Sequence, residues 1–392
     1  MRHRTYCTTA LVAFAAIPAG AGAADPAQKV TGPVASYWMT AGTSTGFGMT
    51  MMGGGRPSMG SIMSMMRGGS QTSHTLDLRL GSSQAPAGAA RADHLPPTGP
   101  ALPLTTPQTA VAQPEETVRD QPELPEKPRG KMVIYWGCGE HAAAAPIVID
   151  FAKLAGGQVP RFPYVPVKQQ NPPSPGRYKS YGEWTTGQAN KRPPASIAGA
   201  NTVKGSYTPD IAFALPPDKD YMPPLQVKAG ARTGAGAMPL SWGRLPTATG
   251  YFATAMAVTG DERNPTLVMW SSSATALFGD GALTGPLSPA EVQRLIGLKA
   301  VLPPTASQCT IPAEVTKDSN FTTVSMVAYG EEANFSNPPR PADPKLPWDI
   351  RWTVKARYFS TAGLMLGMEE MQGMMGGGMG GLLGGMMGNP GD

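Results

Sequence analysis

Residues 349–359 read DIRWTVKARYF, and their alternation decides the fold class. Ile350, Trp352, Val354, Ala356 and Tyr358 fall on one side and Arg351, Thr353, Lys355 and Arg357 on the other. A period of two is what a strand needs when one face lies on a core and the other in water. TLDLRL at 75–80 repeats the pattern, with Leu76, Leu78 and Leu80 opposite Asp77 and Arg79. Further candidate strands, rich in β-branched and aromatic residues, are VASYWM, KMVIYWG, PIVIDFA, DIAFAL, GYFATAMAV, TLVMWSS and TTVSMVAY. The chain is therefore expected to be mainly β.

One helix signal stands out among the strands. In SPAEVQRLIGLKAV (288–301), Ser288 occupies the N-cap, Pro289 the first helical position and Glu291 the third, so serine and glutamate can satisfy each other's free backbone N–H groups. Val292, Leu295, Ile296 and Leu298 or Val301 form the stripe that would pack on a sheet.

Composition divides the rest. The opening MRHRTYCTTALVAFAAIPAGAGAADP sets Arg2 and Arg4 before a short apolar run and small residues ending at Ala23, the pattern of a secretory signal peptide over 1–23. That run is about half the roughly 20 residues a membrane-spanning helix needs, so no transmembrane span is expected. Residues 81–130 hold ten prolines and no Phe, Trp or Tyr, a Pro-rich disordered linker on composition. A second spacer is expected at 156–178. The expected order is a Met/Gly-rich region with strands at 24–80, the linker at 81–130, a β-rich domain at 131–215, a sandwich-like domain at 216–361 with its helix near 289–300, and a Met/Gly-rich flexible tail at 362–392. Without the leader's two arginines the net charge of +5 falls to +3, which is no electrostatic footprint for nucleic acid.

MPLSWGRLPTATGYFATAM places Trp242 ahead of Tyr251 with LPTATG between them, and VSMVAYGEEANFSNPP follows later. Over about 221–340 these stretches resemble a fibronectin type III or related immunoglobulin-like domain, in which the Trp is a core residue and the Tyr opens the next strand. The resemblance implies an immunoglobulin-like β-sandwich with one inserted helix. It departs from the family in that helix and in lacking a corner tyrosine before the late strand. A sandwich by itself names no function.

Few residues suggest chemistry. In YWGCGEHAAAAP, Cys138, Glu140 and His141 could contribute to a zinc or copper site; alternatively Cys138 pairs with Cys309, the other cysteine beyond the leader, in a disulfide. GTSTG at 42–46 matches a nucleophile elbow around Ser44 by letters alone, because no helix pattern follows it. Asn320 and Asn334 match the glycosylation acceptor pattern. Methionine is concentrated: of 23, eight lie between Met39 and Met66 and eight between Met365 and Met387. Met365, Met368, Met371 and Met374, with Met375, would line one face of a short helix able to hold Cu(I) or to pack against a partner.

These features favour an exported, non-catalytic protein of the periplasm or extracellular space, acting in protein–protein interaction or assembly and without a cofactor. Self-association through the Met-rich segments and peripheral envelope contact both fit it. The alternative is a periplasmic copper-binding protein using Met365, Met368, Met371, Met374 and Met375 with Cys138 and His141. The strands at 75–80 and 349–359 are expected to pair, bringing both methionine runs to one end of the molecule.

Overall fold

The alternating stretch at 349–359 lies largely inside a strand, Trp352–Leu366, in the interior of the largest sheet. The computed structural model describes residues 28–46, 72–106, 129–158, 163–186, 191–261, 264–277, 281–319 and 321–367. The expected leader at 1–23, Met368, Met371, Met374, Met375 and Asn320 lie outside these residues, as do most methionines of the earlier run.

In chain order the strands are β1 (Val30–Thr31), β2 (Ala35–Gly46), β3 (Thr72–Ser82), β4 (Ala92–Leu95), β5 (Leu102–Pro103), β6 (Lys131–Trp136), β7 (Ile147–Asp150), β8 (Ser180–Thr185), β9 (Gly199–Gly205) and β10 (Ile211–Leu215). They continue with β11 (Val227–Ala229), β12 (Met238–Trp242), β13 (Gly250–Thr259), β14 (Thr266–Ser271), β15 (Gln308–Ile311), β16 (Thr322–Asn337), β17 (Trp348–Asp349) and β18 (Trp352–Leu366). Among the described residues three helices, α1 (Phe151–Ala155), α2 (Pro289–Gly297) and α3 (Ala313–Thr316), complete a mainly β structure.

Nine strands form one sheet in the order β7-β6-β14-β13-β16-β18-β2-β3-β8. Most neighbours are antiparallel, but β14 pairs with β6 and β18 with β2 in parallel. A four-stranded sheet, β10-β9-β4-β5, and a three-stranded sheet, β11-β12-β15, share a core with one face of the large sheet. On the four-stranded side, Phe213 of β10 meets Tyr37 of β2 and Phe335 of β16 at ring distances of 6.2 and 5.4 Å. On the three-stranded side, Trp242 of β12 meets Tyr251 of β13 at 5.6 Å. The expected alternations account for this core: Leu76, Leu78 and Leu80 are buried, as are Trp352, Val354, Ala356 and Tyr358.

The opposite face carries α2, which packs with Phe252, Val327, Tyr329 and Phe359 of the sheet through Val292 and Leu295. Ser288 caps α2, its Oγ accepting from Glu291 N at 3.2 Å. The reciprocal half of the capping box is replaced. The Glu291 carboxylate instead accepts from Lys168 N at 2.8 Å and from Arg294 Nε at 2.8 Å, so it ties residues of the expected second spacer to the helix. Val165 and Val167 of that stretch pack against the same apolar cluster.

Four expectations need correction. β3 and β18 occupy one sheet but do not pair, because β2 lies between them, antiparallel to one and parallel to the other. Residues 92–103 are not linker: β4 and β5 join β9, burying His94 and Leu102. PIVIDFA changes type part-way, since Asp150 caps α1 by accepting from Ala152 N and Lys153 N. The tail does not begin at 362, because β18 continues to Leu366 with Ala362 and Leu366 in the core. The large sheet also draws strands from 24–80, 131–215 and 216–361, so no sheet boundary coincides with those divisions.

Candidate functional site

The sheet face that carries α2 becomes open and apolar toward one end. Cross-strand register aligns Ile134 (β6), Met269 (β14), Met256 (β13), Thr323 (β16) and Met365 (β18) in one row. The next row on that face runs Met132, Leu267 and Val258, and Phe321 stands just before β16. The alternate positions Val268, Ala257 and Val324 are buried in the shared core, and Val133 beside them is buried as well. Met256, Val258 and Phe321 are 41%, 63% and 42% exposed. Single exposed apolar residues are ordinary, whereas a contiguous strip is a candidate contact surface.

Beside this strip, Phe252, Met256, Met269, Leu277, Leu283 and Ile134 line a cleft of about 260 Å³, with hydroxyls from Thr254, Thr284, Thr323 and Ser325. Among the described residues its lining has no histidine, cysteine or carboxylate. The site can therefore receive an apolar group and orient it by neutral hydrogen bonds, while methionine side chains adjust to the occupant's shape.

Farther along the same face the chemistry changes. Trp38 of β2 lies below Lys355 Nζ and Arg357 Cζ, at 5.5 and 4.9 Å from its ring centroid. Lys355 pairs with Glu332 at 2.8 Å and Arg79 with Asp77 at 2.8 Å. Arg357 donates to Thr40 Oγ1 from Nε and Nη2, and burial lowers its pKa from the usual guanidinium value. These charges are largely balanced within the patch.

The sequence-predicted residues are distributed differently. Cys138 and Cys309 form a disulfide with Cα atoms 5.1 Å apart, which joins the loop after β6 to β15 and leaves Cys138 no thiolate for a metal. His141 Nδ1 lies 3.1 Å from Glu314 Oε1, and Glu314 Oε2 accepts from Ala142 N at 3.0 Å. Among the described residues no three His, Cys, Asp or Glu side chains gather as a metal site would require. Ser44 is buried near the end of β2, its Oγ 2.8 Å from Thr361 Oγ1, in a strand rather than at a strand-to-helix elbow. Asn334 is exposed on β16. Met365 alone of the proposed methionine ligands lies in the described strands, in the apolar row.

The chain matches no family model and no curated protein.

The strip itself was not anticipated. GYFATAMAV is small or apolar at nearly every position, so its own pattern gives no sign of which side would be covered. The exposed Met256–Val258 side could have been suspected only from the companion alternation in KMVIYW and TLVMWS.

Proposed function

We propose that this chain is an exported, non-catalytic protein of the cell envelope or extracellular space that works by docking a protein partner, and that the apolar strip is its docking surface. The observation that carries this is the contiguous exposure of Met256, Val258 and Phe321 beside the cleft. Adaptable methionine faces suit protein contacts, and aromatic and methionine residues are enriched at such interfaces. The sequence's leader pattern and the Cys138–Cys309 disulfide both accord with an oxidising compartment.

An immunoglobulin-like sandwich is the finer architecture we infer for the C-terminal half. In that fold strands A, B and E lie in one sheet and C, F and G in the other. Here β11, β12 and β15 adjoin in one sheet, while β13, β16 and β18 adjoin in that order in the other. Trp242 and Tyr251 meet between them, and α2 falls in the connection from β14 to β15. The fold alone names no function, so the docking reading stands on the exposed strip.

A photoreactive benzophenone amino acid in place of Val258, introduced in the cells that make the protein, tests the docking surface. Irradiation should give a discrete adduct with another protein, absent when the same group replaces Leu346, which is exposed elsewhere. Equal labelling from both positions, or none from Val258, would remove the strip as the docking surface.

A further inference from the structure

The chain leaves its last described strand at the same end of the sheet as the strip. Met365 belongs to the cross-strand row of Met256 and Met269, and Gly367 follows the strand's final residue, Leu366. Neighbouring strands lie about 4.8 Å apart, so β13, two strands from β18, is only ~10 Å away. Beyond Gly367 the chain supplies seven methionines and two leucines between Met368 and Asp392. At about 3.3 Å per extended residue, three or four residues suffice to reach the strip. Tethering also gives such a segment an effective concentration of order millimolar, so modest apolar contacts can hold it.

We propose that residues 368–392 dock in cis on the strip and its cleft, placing methionine and leucine side chains against Met256, Val258, Met269 and Phe321. The proposal rests on the strip being a docking surface and names this chain's own segment as an occupant of it. The segment carries Glu369 and Glu370 near its start, while the described residues of the cleft lining are uncharged. The methionines and leucines, rather than the acids, are therefore the groups that fit it.

The test uses the purified full chain, with no other protein present and the benzophenone group in place of Val258. After irradiation, mass spectrometry of the peptides should find β13 joined to a peptide from 368–392 in a product of monomer mass. A product of twice the chain's mass would identify a second copy as the occupant and overturn the proposal, as would failure to join that segment. In a second full-chain variant Met368, Met371, Met374 and Met375 become Gln. Its cross-link yield should fall several-fold, and an unchanged yield would also overturn the proposal. A partner adduct in cells without the internal cross-link would remove this proposal and leave the docking function standing. The internal cross-link without a partner adduct would remove the docking function instead.

Discussion

His94 places a titratable ring where water does not reach. Its Nδ1 lies 3.0 Å from Tyr37 Oη, its Nε2 has no hydrogen-bond partner among the described residues, and burial lowers its pKa from 6.5 to about 4. Between those values the unfolded chain takes up a proton that the folded chain excludes, so stability is full above about pH 6.5 and falls as the pH drops. The loss levels off below about pH 4 and amounts to about 3 kcal/mol at most. Urea denaturation at about pH 7 and about pH 5 should show it, and His94→Phe should remove most of that difference whatever it does to absolute stability. An undiminished difference in the variant would assign the pH dependence to other groups. In the sequence His94 looked like part of a spacer, because RADHLPP has no apolar period of its own. Its burial comes from pairing with Val203 of β9, a distant contact that local composition does not encode. Cys138 and Cys309 were legible as the available pair, but bridging distance depends on how β6 and β15 are brought together.

Helix α2 was the most legible element, because its start depends on residues within one turn. Ser288→Ala should cost about 1 kcal/mol, measured as a lowered urea midpoint with an unchanged slope. A loss below a few tenths would mean that water replaces the serine at Glu291 N. The partners of Glu291 were not legible, since Lys168 comes from a stretch without a regular pattern. Strands gave their inward residues readily, as with Leu76, Leu78 and Leu80. Their neighbours did not follow, because alternation gives a strand its faces but no address for a long-range parallel partner. That is why β3 and β18 were expected side by side and instead flank β2. The candidate site depended on the same missing information. Whether Met256 and Val258 face core or solvent is decided by which face the three-stranded sheet and α2 cover.

Across the whole molecule, the Cys138–Cys309 disulfide closes a sequence separation of 171 residues. Removing such a link restores chain entropy to the unfolded state, and Cys138→Ser with Cys309→Ser should lower stability by about 4 kcal/mol in urea denaturation. A change below about 1 kcal/mol would show that contacts such as Gly139 N to Thr310 O at 3.0 Å already hold these elements together. The position of β18 has a different consequence, which concerns the order in which the sheet can be completed. Its neighbours are β2, from near the start of the described chain, and β16. Until residues 352–366 have emerged from the ribosome, β2 and β16 each retain an unpaired edge, and the two halves of the sheet have no strand to join them. Nascent chains stopped short of residue 352 would be the aggregation-prone species, and a chaperone that masks exposed strand edges would be needed most during that interval.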